Sequence, residues 1–322
     1  MRVFVTGISS EMGQRIAEGL VSTGHHVVGL TQKLGLWIKG CRIVVGTLED
    51  PISYSSHLAG TDLIIHVAGI THSDRTDRYY AVNADAGDRL ISSAETCGVK
   101  RFIYISTRAI GPGCGAYGTS KRMLEKRLQV SSLEWIILRV AEVYGVTKNE
   151  GVNALMAQIL SQKIVLIPGN GEFGLTPIHV GDVAAAVCAI AKAPAIRMKT
   201  YTLCGPKTYS IQEFIWTMCQ IAGLDRVGIL IPLFVIRLAI ALKRFLPLPF
   251  HVTRDQVQRL AVAKETDFSE AGHDFGFSPK GFELWFQNEV KASHDVKIAM
   301  GEKGFIKIFP GVIFFRGSAA RG

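Results

Sequence analysis

The 322-residue sequence predicts an α/β fold: a doubly wound parallel sheet with a smaller C-terminal α/β lobe for substrate. Three observations predict it. Short apolar runs alternate with amphipathic stretches through the first half, as in βαβ units whose strands are covered on both faces. A glycine-bearing loop follows the first apolar run directly. From about residue 146 the alternation loosens, and turns and a longer apolar segment take over.

Residues 3–5 form the first strand and residues 14–22 the helix after it. Residues 26–30, 42–45, 63–66, 102–105 and 135–138 continue the strands, with helical periodicity over 81–97 and 118–128. Crossovers of this length make right-handed units with helices on both faces of the sheet. A first domain built on this sheet therefore occupies residues 1–145, with 176–205 returning to it. The lobe takes 146–175 and 206–292. It contains a helix over 151–162, a turn at Pro168-Gly169-Asn170-Gly171, a short strand over 178–180 and an amphipathic helix over 211–222.

Residues 227–250 are apolar apart from Arg237, Lys243 and Arg244. Pro232 and the cations argue against a bilayer span, which needs about 20 apolar residues. The segment is expected to be a core helix or an oligomer face, with a helix lying on a membrane surface as the other reading. Residues 293–322, with Ile306-Lys307-Ile308-Phe309-Pro310, form a tail to which no role attaches.

At 48% hydrophobic and 20% charged residues the composition is globular. The net charge of +9 suits anionic small ligands. Basic pairs such as Lys121-Arg122 are dispersed and no basic helix is interleaved with aromatics, so nucleic acid is not expected as a partner. Six cysteines without a Cys-x-x-Cys pair predict no metal site and no disulfide, as in a reduced cytoplasmic protein. Met1-Arg2-Val3-Phe4-Val5 runs straight into a strand, so no secretory leader is expected.

The loop Thr6-Gly7-Ile8-Ser9-Ser10-Glu11-Met12-Gly13 carries the first chemical signal. Gly7 permits the tight turn out of the strand, and Gly13 lets the helix pack closely on the sheet. The backbone N–H groups between them face a pyrophosphate, as in a Rossmann dinucleotide site. Ser10 stands at the middle glycine position. The second strand ends in Leu30-Thr31-Gln32-Lys33, with no carboxylate for a ribose 2′-hydroxyl. Lys33 suits a 2′-phosphate, so of the two cofactors, NADP and NAD, the choice falls to NADP.

Tyr117-Gly118-Thr119-Ser120-Lys121 sets a phenol and an ammonium at i and i+4, on one helix face. An ammonium beside a phenol favours phenolate, so Tyr117 can exchange the proton of a substrate hydroxyl while hydride moves at the same carbon. Lys121 also suits a hydrogen bond to the nicotinamide ribose. Thr107 ends the strand before this helix and can polarise the substrate oxygen, with Ser106 as its competitor.

In this order the motifs resemble the extended short-chain dehydrogenase/reductase superfamily, in particular its NAD-dependent epimerase/dehydratase family. The matching pieces are Val5-Thr6-Gly7, residues 62–69, Val82-Asn83, Tyr104-Ile105-Ser106-Thr107, residues 117–121, Leu138-Arg139, Val143-Tyr144-Gly145 and residues 178–183. The resemblance implies Thr107, Tyr117 and Lys121 as the catalytic set, and Val67, Ala68 and Gly69 as cofactor lining. It also implies cofactor contacts from Gly7, Ser9, Ser10, Met12, Gly13, Thr31, Lys33, Leu48, Tyr117 and Lys121, and substrate contacts from Asn83 and Glu142. A homodimer through the helices of the 81 and 117 regions follows from the same likeness.

The departures are Val140 in place of a proline, Gly181 in place of an aspartate, and Leu175 where a diphosphate-gripping arginine is expected. An aliphatic side chain cannot replace a bidentate guanidinium contact. The leading expectation is an NAD(P)-dependent oxidoreductase or epimerase on a small sugar-nucleotide-like substrate, of 4-epimerase or 4-keto reductase type, in polysaccharide biosynthesis. The alternatives are a steroid or lipid hydroxy dehydrogenase and a non-catalytic nucleotide-binding accessory protein. The last would resemble the dehydrogenase-like subunit of respiratory complex I through its short loop before Tyr117 and its residues 253–257.

Overall fold

The computed structural model describes residues 1–147, 151–242, 253–292, 305–309, 312–315 and 317. The chain divides into two compact units. One is Met1–Ala141 with Val180–Leu203 and Val262–Ser278; the other is Glu142–His179 with Cys204–Ala261 and Pro279–Gly322.

The first unit opens with β1 (Arg2–Thr6), α1 (Glu11–Ser22), β2 (His26–Thr31), β3 (Cys41–Val45) and β4 (Leu63–His66). A single-turn α2 (Thr76–Tyr79) leads through a π-helical turn at residues 80–85 into α3 (Ala86–Thr96). Then come β5 (Arg101–Thr107), α4 (Gly115–Gln129) and β6 (Glu134–Val140). After an excursion through the second unit the chain returns with α6 (Val180–Lys192), β11 (Lys199–Leu203) and α10 (Ser269–Phe275).

The seven strands form one sheet in the order β11-β6-β5-β4-β1-β2-β3, and every pair is parallel. Both faces are covered: every residue of β5 is buried. Leu90, Ile91 and Ala94 of α3 and Leu124 and Leu128 of α4 pack against Phe4, Ile64, Phe102, Tyr104 and Ile137. Burial of such side chains is the main driving term of the fold, at about 1.5–3 kcal/mol each. On the other face α1 lies close against α6, where a Cβ on Gly19 would stand 2.8 Å from the Cys188 sulfur. Buried Arg101 donates to the carbonyls of Ile190 (3.2 Å), Ala193 (3.1 Å) and Ile196 (3.3 Å), so it caps the C-terminal end of α6.

Residue 180 is a correction to the sequence reading: it begins a helix rather than ending a strand. Asp182 in the first turn suits the positive end of that helix, and five of residues 183–191 are alanine, the strongest helix former.

The second unit holds β7 (Val143–Tyr144) beside β10 (Ile178–His179), and β9 (Gly174–Leu175) beside β12 (Tyr209–Ser210). Its main sheet runs β14 (Phe305–Phe309), β15 (Val312–Phe315), β13 (Arg226–Ile231), β8 (Ile164–Pro168). Its helices are α5 (Gly151–Ser161), α7 (Ile211–Ala222), α8 (Leu233–Leu242), α9 (Arg254–Leu260) and α11 (Phe282–Ala292). Val152 and Met156 of α5, Phe214 and Met218 of α7, and Phe282 and Phe286 of α11 share a core with Val165 and Ile167. α7 starts on a Ser210–Glu213 capping box and ends at Gly223 with φ +63°.

The described part of the apolar segment, residues 227–242, is not a core helix. Pro232 has no N–H for a strand ladder, so β13 stops at Ile231 and α8 starts beyond it, with no buried residue. Lys243, Arg244 and residues 245–250 lie outside the described residues. Among the described residues no helix is long and apolar enough to cross a membrane. In the tail, 305–309 and 312–315 form the outer strands on β13, while the rest of 293–322 except Gly317 lies outside the described residues.

Candidate active site

At the carboxyl end of β1 the backbone must pass very close to the loop after β4. Gly7 has φ +69°, and a Cβ on it would meet the Ala68 nitrogen at 2.6 Å. A Cβ on Gly13 would meet the Gly7 carbonyl oxygen at 2.3 Å. Only glycine fits either position. Ser10 caps α1: its hydroxyl accepts from the Gly13 N–H at 3.0 Å and donates to the Gly7 carbonyl at 2.8 Å. The serine thus closes the turn with its own side chain where a third glycine is common.

The other expected cofactor residues line the same sheet edge. Thr31 and Leu48 are buried, Val67 and Ala68 half-buried, and Gly69 is exposed. Ser9 is exposed and Met12 half-buried at the start of α1. The Thr31 hydroxyl accepts the Lys33 N–H at 3.0 Å, which turns the chain out of β2 and leaves Lys33 exposed. Gln32 is held away by its amide, which donates to the Thr47 hydroxyl at 2.9 Å. A close turn onto a helix N-terminus, with exposed glycine backbone opposite, fits a dinucleotide pyrophosphate.

Thr107, Tyr117 and Lys121 are 8%, 8% and 5% exposed, so all three are sheltered from bulk water. The Thr107 hydroxyl accepts from the Ala109 N–H at 3.2 Å, which leaves its hydrogen to donate. A Cβ on Gly118 would meet the Ala109 carbonyl at 2.2 Å, so the first turn of α4 is pressed against the end of β5. This contact brings the backbone beside Tyr117 up to the segment carrying Thr107. The Tyr117 ring meets Tyr79 edge-on, 6.0 Å between centroids.

Lys121 donates to the Ile105 carbonyl at 2.9 Å and stands 4.9 Å above the Tyr104 ring. Burial lowers its pKa to about 8, with Glu125 opposing the fall. A Cβ on Gly69 would meet Asn83 Oδ1 at 2.9 Å and Lys121 Nζ at 3.3 Å, so Gly69, Asn83 and Lys121 converge. Asn83 lies on the π-helical turn, a feature frequent at functional sites. Its amide accepts from the Ile70 N–H (2.8 Å) and donates to the Ile70 carbonyl (3.0 Å) and the Ser120 hydroxyl (3.4 Å). Asn83 therefore spends its side chain on the loop after β4.

Residues that sequence reasoning passed over hold this set from behind. Glu125, 2% exposed in its side chain, accepts from the Ser106 hydroxyl at 2.6 Å and from Arg139 at 2.7 and 3.2 Å. Ser106 is thereby engaged away from the Thr107 side, which separates the two competing hydroxyls. The available signal was spacing: Glu125 follows Lys121 by four and Tyr117 by eight, on one helix face. His66 stacks on Tyr104 with centroids 5.4 Å apart, and its Nδ1 lies 2.8 Å from the Thr6 hydroxyl. Burial, with Lys121 adding, holds the His66 pKa down at about 3. Burial, with Tyr117 and Glu125 adding, pushes the Tyr104 phenol well above its ordinary value.

Glu142 belongs to the second unit, where its carboxylate accepts from the Thr176 N–H at 3.4 Å. Leu175 is buried there in β9, opposite Tyr209. Among the described residues no group of three or more His, Cys, Asp or Glu side chains is placed to hold a metal ion.

Known proteins resemble this chain in sequence and fold. The family model described as the NAD dependent epimerase/dehydratase family matches residues 3–204. The chain is 25% identical over 317 residues to the 2-alkyl-3-oxoalkanoate reductase of Stenotrophomonas maltophilia, covering 87% of this chain and 95% of that protein. It is 24% identical over 198 residues to the ceramide reductase of Caulobacter vibrioides, covering 60% and 62%. Its fold matches that of the Bacillus cereus UDP-glucuronic acid 4-epimerase in complex with NAD. The TM-score is 0.70 at 17% identity, over 94% of this chain and all of that one.

Proposed function

We propose, from the premise that this chain belongs to the NAD dependent epimerase/dehydratase family, that it reduces a ketone on a largely aliphatic substrate. It is an enzyme of the short-chain dehydrogenase/reductase type. The observation that carries the reading is the sheltered set Thr107, Tyr117 and Lys121, whose lysine converges on Gly69, next to the Ala68 that meets Gly7. A nicotinamide dinucleotide, held by Gly7, Ser9, Ser10, Met12, Gly13, Thr31, Lys33, Leu48, Val67, Ala68 and Gly69, supplies the hydride when bound.

Thr107 donates its hydroxyl hydrogen to the substrate carbonyl oxygen and polarises it. Tyr117 gives its phenolic proton to that oxygen as negative charge develops there. Lys121 keeps two donors after its bond to Ile105, and its ammonium stabilises the phenolate left behind. With its pKa at about 8, Lys121 loses that charge in mild alkali, so reduction falls as pH rises through 8.

Two observations favour an aliphatic substrate. Leu175 offers no cation for a diphosphate, and the relative matched over 95% of its length is named for a 2-alkyl-3-oxoalkanoate. A sugar-nucleotide substrate is the second reading, supported by the UDP-sugar epimerase among the matching folds. For the cofactor we infer NADPH, because Gln32 replaces a carboxylate and Lys33 is exposed beside it; the Bacillus cereus structure holds NAD.

The test titrates wild type and Lys121→Ala with NADPH and with NADH by nicotinamide fluorescence, then follows oxidation of the reduced cofactor with 3-oxoacyl and UDP-4-keto-sugar substrates. Tighter NADPH binding and turnover of the 3-oxoacyl series are expected. Turnover of only the sugar series transfers the assignment to the second reading. Absence of cofactor binding removes the enzymatic proposal altogether.

A further inference from the structure

Among the described residues, the longest group of exposed large apolar side chains in one element lies on α8. There Phe234 is 69% exposed, Val235 40%, Leu238 56% and Leu242 39%. Residues 234, 238 and 242 recur at i, i+4 and i+8, so they form one stripe along the helix. No residue of α8 is buried, and the less exposed Leu233, Ile236, Ala239 and Ile240 lie on the other side. Contiguous apolar exposure of this kind marks an interaction surface.

Charge identifies the occupant. From Val227 to Phe250 the sequence contains no Asp or Glu, and its only charged residues are Arg237, Lys243 and Arg244. Arg237 is exposed on the turn that carries Leu238. An apolar stripe beside Arg237, in a sequence segment without a carboxylate, matches a bilayer interface with anionic headgroups: the apolar side chains enter the acyl boundary and the guanidinium stays at the phosphates. Ten residues at about 1.5 Å rise each are too short to span a bilayer, so α8 would lie in its plane.

We propose that α8 is a monotopic docking surface for anionic lipid bilayers, seated through Phe234, Val235, Leu238 and Leu242 with Arg237 at the headgroups. The proposal stands apart from the catalytic reading, since it uses no residue of the first unit. The experiment sediments the full chain with phosphatidylcholine vesicles that contain or lack phosphatidylglycerol. Wild type co-sediments with the anionic vesicles, and Leu238→Glu lowers that partitioning about tenfold or more. Arg237→Glu weakens binding to anionic vesicles alone, and added salt acts in the same sense. A Phe234→Trp variant reports insertion directly, as a blue shift of its emission on anionic vesicles. Unchanged NADPH binding and melting temperature establish that each variant is folded.

Equal sedimentation of wild type and Leu238→Glu overturns the proposal. So does a soluble dimer that ignores vesicles and that Leu238→Glu dissociates, because the occupant is then a second copy. Loss of cofactor binding with vesicle binding intact sinks only the catalytic reading.

Discussion

The back of the β5 edge and the outer face of α8 depart from the usual partition of side chains in opposite directions. Behind β5 the first unit buries Glu125, Lys121, His66 and Tyr104. Along α8 the second unit exposes Phe234 and Leu238. A buried charge persists only where partners sit at hydrogen-bond distance, as Arg139 and Ser106 do for Glu125 and the Ile105 carbonyl does for Lys121. An exposed apolar stripe needs no internal partner and points to something outside the chain. The first region is specified inward, by chemistry the fold completes; the second is specified outward.

The largest expected effect tests the buried side. Tyr117→Phe and Thr107→Ala each lower kcat by about 10²–10⁴-fold with cofactor binding retained, whereas Ser106→Ala changes it by less than about threefold. Comparable losses for Ser106 and Thr107 in steady-state kinetics would show that Glu125 does not sort the two hydroxyls.

Next come the supports. Arg139→Ala leaves Glu125 buried without its cation and costs about 3 kcal/mol of unfolding free energy in urea titrations. Glu125→Ala costs less, because the Arg139 side chain is one-third exposed and water takes over part of its solvation. The reverse order would mean that the pair does not carry the burial cost assigned to it.

Lys121→Met separates function from stability. The folded pKa of about 8 lies below the ordinary 10.5, so the unfolded chain binds more protons between those values. Stability therefore rises with pH across that window. The variant is inactive yet more stable at neutral pH by about 1–2 kcal/mol, read as a higher Tm; a lower Tm contradicts the sign. His66 works the same way at lower pH. Its folded pKa of about 3 against 6.5 makes stability fall as pH drops below 6.5 toward 3, and His66→Gln flattens that acid limb.

The smallest effect belongs to Ser10. Ser10→Ala removes the cap of α1 at a cost of about 1 kcal/mol. Ser10→Gly costs only a few tenths, since glycine is tolerated there.

The strands were legible in the sequence because a parallel sheet covered on both faces writes itself as apolar runs. The 63–66 and 211–222 elements have the expected bounds, and β5 and β6 differ only by longer ends. The proposed Tyr117–Lys121 pair is legible because residues at i and i+4 share a helix face whatever surrounds them. What pattern alone does not resolve is the role of a residue whose partner is distant. Glu125 reads as a surface charge of α4 until β6 brings Arg139 to it from 14 positions away. Segment 227–250 reads as core because apolar runs usually are, but whether a neighbour covers a helix depends on tertiary packing. Sequence by itself determined the parallel α/β sheet, the glycine turn and the Tyr117–Lys121 pair, since each rests on local periodicity and short-range backbone sterics. Only the tertiary structure decided which hydroxyl is engaged by Glu125, how far Lys121 is desolvated and that the Phe234–Leu238 face of α8 is exposed, because burial and long-range pairing belong to the packed chain.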